Sequence, residues 1–194
     1  MLTDLGNNPY MDLKNMETEN LYAMPYRKAK RGRADLPYPE IYIRQKDPRY
    51  LKLLLDLYMG KDGEFTSSCQ YIYQSCILSG DFFDVKEALN DIVRTEMRHF
   101  SMLGNMIAQL GGDPRYWFFQ DRRYKMWDGN HVRYTKNIKK MLLENIEAEM
   151  NGIRNLRSAI DAIEDEDITY ILQRVKMDEE THLKMFTDLF EKFK

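Results

Sequence analysis

The sequence predicts an all-α protein: a four-helix bundle with a long central crossover, preceded by an extended N-terminal arm and a short helix. Three observations predict it. Four long segments beyond residue 60 repeat apolar side chains with the helical period. Two of the three joins between them are short turns, while the middle one, about residues 111 to 134, is long and carries both tryptophans. Residues 1 to about 46 have no sustained period and hold Pro9, Pro25, Pro37 and Pro39.

The arm, residues 1–46, reads as extended chain with tyrosines at intervals ("LPYPEIYI"), wrapped on its own bundle or on a neighbouring subunit. The second option makes a homo-oligomer the expected state. Its basic run "YRKAKRGR" reads as a solvated stretch touching an acidic surface rather than a nucleic-acid contact. The bundle unit, residues 47–194, opens with "DPRYLKLLLDLYMG": an Asp cap, Pro in the first turn and a glycine stop predict a helix over about 48–59. The four long helices are then expected from about 62 to 79, 82 to 110, 135 to 164, and from the "DEDI" start to the C-terminus.

A chain of 194 residues supports one buried core. A formal net charge of -2 gives no global pull toward nucleic acid or anionic lipid. The first residues lack a basic start followed by an apolar run, so neither a secretion signal nor a membrane span is read, and a cytoplasmic protein is expected. Cys69 and Cys76 lie seven positions apart on one helix. A rise of about 10.5 Å excludes a disulfide between them, and buried free thiols are expected.

Two glutamates each stand three positions before a histidine, Glu96 before His99 in "TEMRHF" and Glu179 before His182 in "DEETHL". On a helix, i and i+3 share a face. Ile92, Leu103, Met106 and Leu110 continue the first stripe; Ile171, Val175, Phe186 and Leu189 continue the second. Both pairs therefore face the core. Glu64 shares a face with Ser68, Tyr71, Ser75 and Leu78, and Glu149 with Leu142, Asn145, Gly152 and Leu156. Glu64 precedes Glu96 by 32 residues and Glu149 precedes Glu179 by 30, so each half is a hairpin with Glu going out and Glu-x-x-His coming back. Buried carboxylates must be neutralised. Four carboxylates and two neutral imidazoles carry about four negative charges, which two divalent ions offset, and this oxygen-rich donor set suits iron or manganese.

Around the expected ligands, Asp178 should accept the outward N–H of His99 and fix its tautomer. Thr95 holds the corresponding place in the other half, so the halves should differ there. Tyr71 is placed to hydrogen-bond a ligand carboxylate, and His131, outside any Glu-x-x-His context, reads as structural or surface.

The stretches "LYMGKDGEFTSSCQYIYQS", "DIVRTEMRHFSMLGNMIAQLGGDPRYW" and "DEETHLKMF" resemble the ferritin-like superfamily over about residues 48–194. The resemblance is to its bacterial branch of manganese catalases, spore-coat relatives and bacterioferritin- or rubrerythrin-like proteins. It implies a ferritin-like four-helix bundle with Glu64, Glu96, His99, Glu149 and His182 as ligands. Glu179 corresponds to a direct ligand in di-iron members and to an outer acid/base in manganese catalases. Tyr71 corresponds to a manganese catalase tyrosine that hydrogen-bonds the first ligand. Glu179 and Tyr71 are thus the expected catalytic residues. Ala148 stands where manganese catalases commonly carry a basic residue, and neither a rubredoxin-like segment nor the shell-forming ferritin pattern is readable. The expected function is hydrogen peroxide disproportionation or reduction at two iron or manganese ions. The alternatives are di-iron ferroxidase or peroxidase chemistry on peroxide or dioxygen, and a structural metal-binding assembly of the spore-coat kind.

Overall fold

In the computed structural model, which describes residues 32–44 and 46–193, five helices and one two-stranded hairpin follow each other along the chain. Helix α1, Leu51–Met59, buries Leu54, Leu55, Leu57, Tyr58 and Met59. It starts later than its sequence suggests, because Asp47 caps a separate turn instead: Arg49 N donates to Asp47 Oδ1 at 2.9 Å. The turn into α2, Glu64–Ile77, is tight enough that a Cβ on Gly63 would lie 2.6 Å from the Leu57 carbonyl oxygen. That turn delivers Glu64 to the first position of α2.

Helix α3, Phe83–Gln109, returns along α2. The crossover then forms a hairpin, β1 (Trp117–Gln120) with β2 (Arg123–Met126), paired antiparallel with Trp117 opposite Met126. Asp121 and Arg122 make its two-residue turn at φ 52° and 63°, both in the left-handed region. Helix α4, Ile138–Ala162, begins where Asn137 Oδ1 accepts from Lys140 N, and α5, Glu166–Glu191, where Asp165 Oδ1 accepts from Ile168 N. Glu166 and Asp167 add negative charge at the N-terminus of α5, where the helix dipole favours it.

Two apolar layers fill the bundle. One packs Leu54, Met59, Leu103, Met106, Leu156 and Val175; the other packs Tyr71, Leu89, Ile92, Leu142, Phe186 and Leu189. Along α3, α4 and α5 these residues bracket positions 96–99, 149 and 179–182, so a polar layer lies sandwiched between the two. A buried amide network ties α2 to α4 beside it: Gln70 Nε2 and Gln74 Nε2 each donate to Asn145 Oδ1 at 2.9 Å, and Asn145 Nδ2 donates to Gln74 Oε1 at 2.7 Å. The crossover joins this network through Arg133 N, which donates to Gln70 Oε1 at 3.1 Å. His131 packs edge-on against Phe118 in the crossover and belongs to neither group of potential ligands found among the described residues.

The thiols differ from expectation. Cys69 is half-buried and Cys76 exposed, both free, because the inner face of α2 is set by Glu64, Ser68, Tyr71 and Ser75 and the two cysteines fall one position beyond it. Residues 32–44 of the arm lie along the protein's own helices α3 and α5. The remainder of the predicted arm, with most of the basic run, lies outside the described residues. No helix among the described residues is long and apolar enough to cross a membrane.

Candidate metal centre

Each of the four long helices contributes to one buried cluster, and the contributions follow the two-hairpin plan. Glu64, Glu96, His99 and Glu179 can offer donor atoms that all lie within 4.8 Å of one another; so can Glu96, Glu149, Glu179 and His182. Glu96 and Glu179 belong to both groups. All six side chains are buried, with His99 and His182 fully excluded from solvent.

The imidazoles are presented alike. His99 Nδ1 faces Glu64 Oε2 at 3.3 Å and Glu179 Oε1 at 3.1 Å. His182 Nδ1 faces Glu96 Oε1 at 3.0 Å and both Glu149 Oε2 and Glu179 Oε1 at 3.7 Å. Yet Glu96 Oε1 and Oε2, Glu149 Oε2, Glu179 Oε1 and His182 Nδ1 are all buried without a hydrogen-bond partner. The His182–Glu96 approach is therefore close without being aligned as a hydrogen bond. Buried acceptors are rarely left in this state, and here five of them converge. A pair of divalent cations would satisfy them together, so the residues present fit the expected group.

Electrostatics agrees. Burial, reinforced by the Glu179 charge, pushes the Glu64 carboxyl up; burial and the Glu64 charge push Glu96 far up; burial with the Glu96 and Glu149 charges does the same to Glu179. Burial also raises Glu149, but the adjacent His182 imidazole, with the hydrogen bond from Tyr71, holds it below the ordinary carboxyl value. Burial alone would lower both imidazoles, and the surrounding carboxylates instead raise them well above the usual value. By itself the cluster demands protons, and bound cations would take their place.

Outside the cluster, Asp178 Oδ2 lies 2.9 Å from His99 Nε2, where the sequence places it. Asp178 is saturated: Arg174 Nη1 (2.6 Å) and Ala34 N (2.7 Å) reach Oδ1, and Tyr38 Oη (2.5 Å) reaches Oδ2. Burial raises this carboxyl, but the hydrogen bonds from His99 and Tyr38, backed by Arg174, hold it well below the ordinary range. Thr95 is buried, but the partner of His182 Nε2 is the Gly32 carbonyl oxygen, at 2.8 Å. Tyr71 donates to Glu149 Oε1 at 2.5 Å. Its partner is thus the carboxylate of α4 and not Glu64, the partner the resemblance implies; seven residues separate Tyr71 from Glu64 on one helix, about 10.5 Å of rise.

On the α2–α4 side the cluster reaches the surface through a recess of about 280 Å³, its open mouth included, lined by Asp62, Gly63, Ser67, Ala148 and Gly152 with Glu64, Glu96 and Glu179 at its floor. Small residues keep it open: a Cβ on Gly152 would already stand 3.6 Å from Glu179 Oε2.

The ferritin-like domain family matches residues 62–194. Among solved structures, a manganese catalase from Anabaena superposes with a TM-score of 0.71 at 23% identity, over 82% of this chain and 79% of that one. A mycobacterial bacterioferritin gives 0.62 at 25% identity over 77% and 87%, and a dodecameric thioferritin from Bacteroides fragilis 0.59 at 18% over 76% and 88%. No curated protein matches the sequence.

Proposed function

The chain belongs to the ferritin-like domain family, and from that premise we propose that it is a dinuclear-metal redox protein that turns over hydrogen peroxide. Glu64, Glu96, His99, Glu149, Glu179 and His182 would hold two manganese or iron ions. The observation that carries this reading is the convergence of orphaned buried donor atoms on two groups that share Glu96 and Glu179. The fold likeness to a manganese catalase supports it.

Bound manganese or iron would supply an electron reservoir, each ion moving between its +2 and +3 states. The chain's own residues do the rest. Asp178 keeps the Nε2 proton of His99 and so leaves Nδ1 free as a donor toward the cluster. Tyr71 fixes one oxygen of Glu149 and leaves Oε2 turned inward. Glu179 lines the recess, and its Oε2 is the oxygen that faces Gly152. From that position Oε2 is placed to take up and release a proton as substrate enters and product leaves. The small residues around the recess, Gly63, Ser67, Ala148 and Gly152, suit a substrate of few atoms such as peroxide.

Oxygen evolution from hydrogen peroxide, measured with manganese-loaded and iron-loaded protein, tests this. Turnover with at least one metal is expected, and its absence with both, in protein shown to carry two ions per chain, would refute peroxide disproportionation. One observation favours a second reading. Glu179 Oε1 approaches both imidazoles, which suits the direct-ligand role that the resemblance to di-iron members implies. If the iron form oxidises added ferrous ion under air and releases no oxygen from peroxide, ferroxidase chemistry replaces the first reading. Assembly into a homo-oligomer, the state named for the Bacteroides thioferritin, belongs to the proposal and is read from the molar mass in solution.

A further inference from the structure

Both imidazoles turn Nδ1 inward and Nε2 outward, but their outward partners differ in kind. His99 is backed by the Asp178 carboxylate, His182 by the main-chain oxygen of Gly32. Gly32 lies 150 residues away in sequence and starts a segment that bends through residue 36 and then runs on along α3 and α5 as far as residue 44. Ala34 and Tyr38 donate to Asp178. The Arg174 guanidinium donates to the carbonyls of Ala34 (3.2 Å) and Leu36 (2.9 Å). The Tyr38 ring lies edge-on to His99, with the guanidinium carbons of Arg98 and Arg174 each 4.2 Å from its centroid. Further on, Gln109 accepts from Ile43 N at 3.0 Å and donates to the Ile41 carbonyl at 3.1 Å.

A segment outside helix and sheet must find other partners for its peptide groups. Here helix side chains and the centre's own outer groups supply several of them, so the segment is docked in one register. Its first contact also depends on the absence of a side chain. A Cβ on Gly32 would fall 2.8 Å from the Asp91 carbonyl oxygen and 2.9 Å from its carbon, main-chain atoms of α3 that cannot retreat.

We propose that the segment Gly32–Ile43 is a built-in strap of the metal centre: Gly32 is the positioning residue for His182, while Ala34 and Tyr38 position Asp178 and, through it, His99. The proposal rests on the two-ion reading and deepens it. Because one imidazole is backed by an ionised carboxylate and the other by a neutral carbonyl, the two ion positions are unequal, with His99 the stronger donor. Strap and ions also stabilise one another, since ordering either one holds the imidazoles for the other.

The test titrates the full-length, metal-stripped chain with Co²⁺ against a chromophoric chelator, for wild type, Gly32→Ala and Tyr38→Phe. The ligand-field spectrum is recorded for each, and amide exchange at Ala34 is followed with and without metal. Wild type should bind two ions, and wild type binding none would sink the two-ion reading and the strap together. Given two, Gly32→Ala should weaken one ion by about 10- to 100-fold, the usual effect of an outer partner, and alter that ion's spectrum while the other ion is kept. Tyr38→Phe, which retains the ring between the two guanidiniums, should weaken the other ion, and metal should slow exchange at Ala34. Folded Gly32→Ala with two ions of unchanged affinity and spectrum overturns the strap and leaves the two-ion reading standing. Should Gly32→Ala not fold, Tyr38→Phe with unchanged binding and Ala34 exchange indifferent to metal overturns it equally.

Discussion

Glu96→Gln should yield a protein that no longer holds metal yet, with metal stripped from both, is more stable than the wild-type chain. Glu96 belongs to both ligand groups, and both of its oxygens are buried without a partner. In the metal-free cluster, burial and the neighbouring Glu64 charge already push its carboxyl far up. A glutamine of the same shape removes a candidate charge and turns one acceptor into a donor among acceptors. Relief of an unsatisfied buried group is worth about 1–3 kcal/mol. In wild type, each ion present at about a thousand times its dissociation constant adds about 4 kcal/mol. Two ions, at about 2–4 °C per kcal/mol for a chain of this size, should raise the melting temperature by roughly 15–30 °C. Thermal unfolding with and without chelator reads both effects: a large metal-dependent rise in wild type and none in the variant, which melts above the stripped wild type. A variant that retained the metal-dependent rise would remove Glu96 from the ligand set.

The second large effect is expected at Asp178. Four donors converge on its two oxygens, from Arg174, Ala34, Tyr38 and His99. Asn at this position must aim an NH₂ group at two of them, and it leaves the Arg174 guanidinium, 4% exposed, without its anion. Breaking a buried pair in this way costs about 3–5 kcal/mol, and loss of the carboxylate behind His99 should weaken metal binding by about 10- to 100-fold. Urea unfolding of stripped Asp178→Asn and a metal titration measure the two terms separately. The Arg44–Asp167 pair is the control: its arginine side chain is 75% exposed, so Arg44→Ala should change stability by less than about 1 kcal/mol. Equal losses in the two variants would mean that Asp178 does no more than a surface pair.

What the sequence reveals of this centre follows the local geometry of helices. Glu96 with His99 and Glu179 with His182 were readable because i, i+3 spacing within an apolar stripe fixes both face and burial. Asp178 was readable as the neighbour of a ligand on the inner face. Gly32 was not, since it acts through a carbonyl oxygen that every residue carries, across 150 positions, and only its missing side chain hints at close approach. Thr95 marks where the halves differ, and the group behind His182 comes instead from the arm, which has no counterpart in the repeat. The crossover hairpin escaped for a similar reason. Its turn, Asp121–Arg122, has positive φ at both positions without the Asn-Gly or Gly signal that usually marks such turns, and its strands are only four residues long. Cys69 and Cys76 each stand one position past an inward residue, Ser68 and Ser75, enough to leave the first half-buried and the second exposed.

The most direct test is anomalous diffraction from crystals soaked in Mn²⁺. Two peaks per chain are expected inside the bundle, one among Glu64, Glu96, His99 and Glu179 and one among Glu96, Glu149, Glu179 and His182. A single peak, or density confined to surface carboxylates with the six buried side chains unliganded, would contradict the two-ion centre.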